Sequence, residues 1–231
     1  MTRLSLAAVG DLLHVDYYGT AWDEPFSELL SAVVSKDVSA VIASLNLRGP
    51  DEGANGTRNW DVSLLGDGKA KFPSLRALSI ERTRPKDHNR SIVAETYDED
   101  GVLARILKQS PSLEYLVSPS APNGAFFEVG ERPLRFLSID TGYDRQDFIR
   151  NLARSTCFPH LLCLEFGEFN EKYLDDYAAQ CTPLADYQEL FNSDVFKSLR
   201  RFVWRNPVCP AAKIRQLRAL CPWLQVEVVR T

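Results

Sequence analysis

The sequence predicts an α/β solenoid with a curved parallel sheet of about seven to eight strands and helices on its convex side. Three observations predict it. Short segments of the form L-x-x-L-x-L recur along the chain. Prolines stand one or two residues before the leucines that open several of them, and helical apolar stripes lie upstream of several of those prolines.

The segments, in chain order, begin at Val41, Leu75, Leu113, Leu134, Leu161 and Leu199, and most carry a large apolar residue at the first, fourth and sixth places. Alternation over places four to six is strand-like, with one face buried and the other free. Pro73, Pro111, Pro159 and Pro222 sit two residues before Leu75, Leu113, Leu161 and Leu224, and Pro133 sits one before Leu134. Proline disfavours helix in the residue before it, so each closes a helix and opens an extended segment. The stripes that precede them are Phe26/Leu29/Leu30/Val33/Val34, Val102/Leu103/Ile106/Leu107, Phe148/Ile149/Leu152, Leu184/Tyr187/Leu190/Phe191 and Ile214/Leu217/Leu220. Each has helical spacing, and Pro210 opens the last at a favourable first-turn position.

Taking Ile42, Leu75, Leu113, Leu134, Leu161, Leu199 and Leu224 as anchors gives spacings of 33, 38, 21, 27, 38 and 25 residues. The shorter values suit one strand-plus-helix unit, and the longer ones the same unit with loop insertions near 49–71, 81–100 and 168–194. A strand at Leu4-Ser5-Leu6 is expected to start the array. The segment Leu224–Val228, one residue out of register, is expected to cap it. The whole chain, 1–231, is expected to be a single domain.

On these motifs the chain resembles a leucine-rich-repeat protein of the ribonuclease-inhibitor-like kind, and is similar to divergent cytoplasmic members from bacteria. The resemblance is strongest from Phe72 to Arg205. It departs where Thr83, Gly142 and Phe169 replace the usual asparagine at the ninth place, and where the unit at Leu113 runs into Ser118-Pro119-Ser120-Ala121-Pro122. The competing fold is a doubly wound α/β domain, whose strands are continuous apolar runs covered on both faces. Ser79, Ser138, Glu165 and Arg201 at alternate strand places speak instead for one open face.

Composition narrows the function classes. With 27 Lys+Arg against 31 Asp+Glu the formal charge is −4, which opposes nonspecific attachment to phosphate backbones or anionic lipid. Apolar residues at 45% and charged residues at 25% are ordinary globular values. No apolar run reaches membrane-spanning length and the N-terminus reads as no secretory leader. Cys157, Cys163, Cys181, Cys209 and Cys221 form no C-x-x-C pair, so free thiols in a reducing, cytoplasmic setting are expected.

On the open face, side chains should form rows one strand apart, about 4.8 Å. Place three reads Ser44, Ala77, Tyr115, Phe136, Cys163, Arg201. Place five reads Asn46, Ser79, Val117, Ser138, Glu165, Val203, and place seven reads Arg48, Glu81, Pro119, Asp140, Gly167, Arg205. Tyr115 and Phe136 would be neighbours near the middle, with Arg48, Glu81, Asp140, Glu165, Arg201 and Arg205 around them. An aromatic centre with a charged surround is the anatomy of a protein-binding patch. These eight residues are the expected partner-binding set.

Catalytic motifs are weak. No G-x-S-x-G, H-E-x-x-H, Walker A or G-x-G-x-x-G string occurs. Gly66-Asp67-Gly68-Lys69 reads as a turn, and Cys157 with His160 as part of a repeat's own turn. The acidic run Glu95, Asp98, Glu99, Asp100 reads as the negative start of a helix rather than a metal site. Lys213, Arg215 and Arg218 read as the solvated side of the last helix. Cys163 is the one thiol expected on the open face. The expectation is therefore a non-enzymatic scaffold that binds another protein, of the inhibitor or immunity type, without cofactor or metal. The mild acidity suits a basic partner. The alternatives are an enzyme built on an insertion loop, a nucleic-acid-binding module using the basic C-terminal part, and a structural module of a larger assembly.

Overall fold

A computed structural model describes residues 2–53, 55–94, 99–169 and 175–230. In chain order the strands are β1 Arg3–Val9, β2 Leu12–Tyr18, β3 Ile42–Arg48, β4 Gly56–Asn59, β5 Ala77–Ile80, β6 Asn89–Ile92, β7 Tyr115–Ser118, β8 Phe136–Asp140, β9 Cys163–Gly167, β10 Arg201–Arg205 and β11 Gln225–Val229. The helices are α1 Glu24–Val33, α2 Lys36–Ser39, α3 Val102–Gln109, α4 Phe148–Arg154, α5 Tyr177–Gln180, α6 Leu184–Phe191, α7 Val195–Ser198 and α8 Ala211–Leu220, with 3-10 turns at Ser63–Gly66 and Gly124–Glu128.

Nine strands form one sheet in the order β1-β2-β3-β5-β7-β8-β9-β10-β11. All neighbours from β2 onward are parallel, while β1 pairs antiparallel with β2. The fold is thus mixed α/β around a mostly parallel sheet whose strands lie in chain order. Among the described residues no helix is long and apolar enough to cross a membrane.

The anchors pack as their spacing predicts. Ile42, Leu75, Leu113, Leu134, Leu161 and Leu199 are buried, as are the fourth- and sixth-place residues Leu45/Leu47, Leu78/Ile80, Leu137/Ile139, Leu164/Phe166 and Phe202/Trp204. Helix residues meet them from one side. Phe148 of α4 stacks on Phe166 at 5.2 Å, Tyr187 of α6 lies 4.1 Å from Trp204, and Phe191 lies 5.9 Å from Phe202. Burying each such side chain is worth about 1.5–3 kcal/mol. In β7 the sixth place is polar. Ser118 is fully buried there, and its hydroxyl donates to the Ser120 carbonyl at 2.9 Å, which removes the penalty of an unmade hydrogen bond.

Several expectations need correction. The strand at Leu4–Leu6 exists, but it is the outer arm of an antiparallel hairpin. Its partner β2, unforeseen, is the first strand of the parallel set. Gly10 sits between them at φ +59°, the left-handed value a type II′ hairpin turn gives to glycine at its first central position. Leu4, Leu6 and Val9 are 50%, 60% and 63% exposed, so β1 adds nothing to the core. Leu220 is exposed, outside the stripe assigned to it, and Pro210 caps α8 rather than standing in its first turn. The insertions at 49–71 and 81–100 carry β4 and β6, a two-stranded parallel sheet of their own. Within it Arg58 is buried, donating to Ser91 Oγ at 2.9 Å and to the Pro50 carbonyl at 3.0 Å. Glu95 and Asp98 of the acidic run, and residues 171–173 of the third insertion, lie outside the described residues.

Candidate functional site

The parallel register delivers the predicted rows. Ser44, Ala77, Tyr115, Phe136, Cys163 and Arg201 are successive pairing partners, as are Asn46, Ser79, Val117, Ser138, Glu165 and Val203. In the seventh row Asp140, Gly167 and Arg205 pair in turn. The closing strand is displaced as expected, with Arg201 opposite Gln225 rather than Val226.

These rows floor a cleft of about 530 Å³, and among the described residues no helix contributes to its lining. Seven of the eight expected residues line it: Arg48, Glu81, Tyr115, Phe136, Asp140, Glu165 and Arg205. Arg201 stands outside the lining but joins the same network. The rings of Tyr115 and Phe136 are stacked, 4.3 Å between centroids and 8° between planes. Tyr115 remains 38% exposed. Burial, then the nearby Glu165 carboxylate, pushes the Tyr115 phenol above its ordinary value.

The charged surround is tied into itself, which the row pattern did not anticipate. Arg82 spans from the end of β5 to Glu165 on β9 at 3.3 Å, and Ser138 Oγ donates to the same carboxylate at 3.1 Å. Arg201 lies 3.7 Å from Glu165 and 2.9 Å from Glu227. This bridging closes the fifth row, leaving Ser138 1% exposed and Val117 and Val203 buried. Arg205 of β10 pairs with Asp140 of β8 across β9. Gly167 lies between them, and a Cβ there would collide with both side chains. Only glycine leaves that bridge its path. At the far end Arg48 meets Asp16 of β2 at 2.8 Å, with Asn46 donating to the same carboxylate. Burial works to raise the Asp16 pKa, but the hydrogen bonds from Arg48 and Asn46 prevail and hold it below the ordinary value. Glu81 accepts the Gly49 amide at 3.0 Å and pairs with Arg84.

One wall of the cleft was missed. Arg82, Thr83, Arg84 and Pro85, from the segment leading into β6, and Arg90 and Ser91 of β6 itself overhang the sheet rows. Arg90 is held with its guanidinium 4.1 Å from the Tyr143 ring, and the Tyr143 hydroxyl is 2.6 Å from Thr57 Oγ1 on β4. The signal was present as the basic run Arg82, Arg84, Lys86, Arg90, hidden inside a stretch treated as one insertion. Glu168 also lines the cleft. Its buried carboxylate accepts from the Tyr187 hydroxyl and from the Thr182 amide at 3.1 Å. Desolvation raises its pKa against those hydrogen bonds, and the same burial with the facing carboxylate raises Tyr187.

Burial raises the thiols of Cys163, Cys181, Cys209 and Cys221. All five are free; burial pushes Cys163 up, Glu165 adds to the shift, and Cys181 is driven to about 12. A nucleophilic cysteine needs its pKa lowered, so this environment favours the inert thiol. Cys157 Sγ donates to the Phe127 carbonyl at 2.8 Å, a packing role with no part for His160. Of the acidic run, Glu99 accepts the amides of Leu103, Gly101 and Asn123 at the start of α3, as a helix-start carboxylate should. Asp67 accepts the Lys69 amide in the Gly66–Lys69 turn. Lys213, Arg215 and Arg218 are exposed on α8.

No protein-family model matches the chain, and no curated protein matches it.

Proposed function

We propose that this chain is a non-catalytic scaffold that docks another protein on the uncovered face of its sheet, in the manner of a leucine-rich-repeat protein. Strands in chain order, a leucine spine behind them and helices on that same side support the solenoid reading. The observation that carries the functional reading is the stacked Tyr115–Phe136 pair, half-open in the lining of a cleft walled by side chains from six strands and one overhanging segment. Aromatic pairs of this kind supply most of the burial energy at protein interfaces, with the polar surround setting register. The ion-paired surround suits binding more than proton transfer, since a carboxylate held by an arginine is a poor base. The free thiols and the lack of a long apolar helix among the described residues suit a cytoplasmic setting.

Affinity capture from the native source tests the reading, with wild type compared to Tyr115→Ala/Phe136→Ala and to an α8 control, Lys213→Glu/Arg215→Glu. A stoichiometric partner held by wild type and control but lost by the aromatic variant is expected. A partner retained by the aromatic variant, or lost only by the control, overturns it.

A further inference from the structure

The two ends of the nine-stranded sheet are finished differently. At the C-terminal end the free edge of β11 is blunted. Gln225 and Val229 bond toward β10, so Val226 turns its carbonyl outward, and Arg218 of α8 donates to that carbonyl at 2.7 Å. Glu227 sets a charge in the middle of the same strand. At the N-terminal end β1 has none of these devices. It pairs with β2 through seven residues in unbroken register, holds no proline, and carries its one charge, Arg3, at its very end. Monomeric proteins commonly disarm such an edge with charge, proline or a bulge, because its unpaired N–H and C=O groups are a template for another strand.

β1 is also bare on the side where the core should continue. Leu4 and Leu6 stand opposite Tyr17 and Val15, and therefore on the same face as those buried residues. The helical cover reaches Tyr17, where Phe26 of α1 packs at 5.7 Å, while Leu4 and Leu6 are 50% and 60% exposed. The apolar layer thus runs one strand past its cover.

We propose that β1 is the interface of a homodimer, pairing antiparallel with β1 of a second copy about a two-fold axis at Leu6. The strand's own sequence selects a second copy. A two-fold axis perpendicular to the sheet keeps the helices of both copies on one side, so residues facing each other must share a face. Centring on Leu6 is the one such register that pairs all seven residues. It sets Leu6 against Leu6 and Leu4 against Ala8, so apolar meets apolar across the uncovered layer. Ser5 meets Ala7, and Arg3 meets Val9 beside the hairpin turn of the second copy. That turn carries Asp11, whose carboxylate is exposed and makes no hydrogen bond or ion pair among the described residues. Arg3 likewise has no ion pair among them, its guanidinium resting 5.9 Å from the Tyr18 ring. Opposite charges therefore meet at both ends of the strand pair, and the two arginines stay a full strand apart. No residue of β1 lines the cleft, so the proposal stands apart from the docking reading. The closed pair leaves both open faces looking the same way and the two blunted β11 edges outermost.

Sedimentation of the full chain over a wide concentration range, joined to thiol trapping, provides the test. Wild type is expected to sediment at twice its 26.1 kDa mass. Leu6→Lys sets like charges opposite each other on the axis and should raise the dissociation constant at least about tenfold. Val208→Lys, at an exposed apolar site following β10, should leave it unchanged. A circular dichroism spectrum matching wild type confirms that each variant folds. Under mild oxidation Leu6→Cys alone should form a covalent dimer, and Leu4→Cys should do so only when mixed with Ala8→Cys, with wild type as the blank for the native thiols. A wild-type monomer throughout the range assigns the edge to some other strand and overturns the proposal. So does a dimer indifferent to Leu6→Lys, or a mass that grows without limit. Trapping of Leu4→Cys with itself overturns the axis at Leu6.

Discussion

The two faces of β8 and β9 are made from the same ten residues and are built on opposite rules. Behind the sheet, Leu137, Ile139, Leu164 and Phe166 are 0% exposed and belong to one apolar core. In front, Ser138, Asp140 and Glu165 join a network whose links run from just past the end of β5 to β9 and from β8 to β10. The back is a sum of local choices, each fixed by one repeat. The front is a set of distant pairings, each meaningful only with its partner. The back should therefore govern stability, and the front should govern recognition at small stability cost.

The largest effect is expected from the back. Leu164→Ala removes a fully buried side chain between β9 and the helices, and should destabilise by about 2–5 kcal/mol in urea unfolding. A loss as small as that of a front-face variant would erase the contrast between the faces.

The buried pair behind the cleft edge comes next. Tyr187→Phe takes a donor from the buried Glu168 carboxylate and should cost about 1–3 kcal/mol. Glu168 also sets a pH dependence, because burial raises its folded pKa above the unfolded value. Between those two values the folded state binds the extra proton, so this group's contribution to stability falls as pH rises from the ordinary glutamate range through the folded pKa. Glu99, also raised by burial, adds in the same direction. Glu168→Gln should flatten that decline in unfolding curves taken across mildly acidic to neutral pH; an unchanged slope would place the titration elsewhere.

Front-face truncation should be milder for the fold. Tyr115→Ala/Phe136→Ala gives up one stacked pair, worth about 0.5–1.5 kcal/mol beyond its partial burial, yet should abolish partner capture. A collapse equal to that of Leu164→Ala would make the pair a core element. The smallest effect belongs to the exposed rim. His88 Nδ1 lies 2.7 Å from Asp51, and hydrogen bonds from its side chain and amide hold the Asp51 pKa at about 2. His88→Gln should let Asp51 titrate nearer its ordinary value by NMR, without a measurable change in melting.

The same contrast explains what the sequence made legible. The leucine spine, the strand register and the row order of Tyr115 and Phe136 follow from a period of two inside repeated segments, so they can be read residue by residue. The displaced register of β11 was visible because Val226 and Val228 alternate one place early. β2 was obscured because His14 and Asp16 break its apolar run, although Gly10-Asp11 between two alternating stretches marks a hairpin. β4 and β6 were hidden because Thr57, Arg58, Asn89 and Arg90 are polar, and they pair across 33 residues. The self-pairing of the charged surround was beyond local pattern for the same reason. Arg82 finds Glu165 only once four strands lie side by side.

The most direct test is photo-crosslinking in extract of the native source, with benzoylphenylalanine placed at Tyr115 on the front or at Arg215 on α8. A docking face in front predicts one discrete adduct from position 115 and none from 215. An adduct formed only from position 215, or from neither, would contradict it.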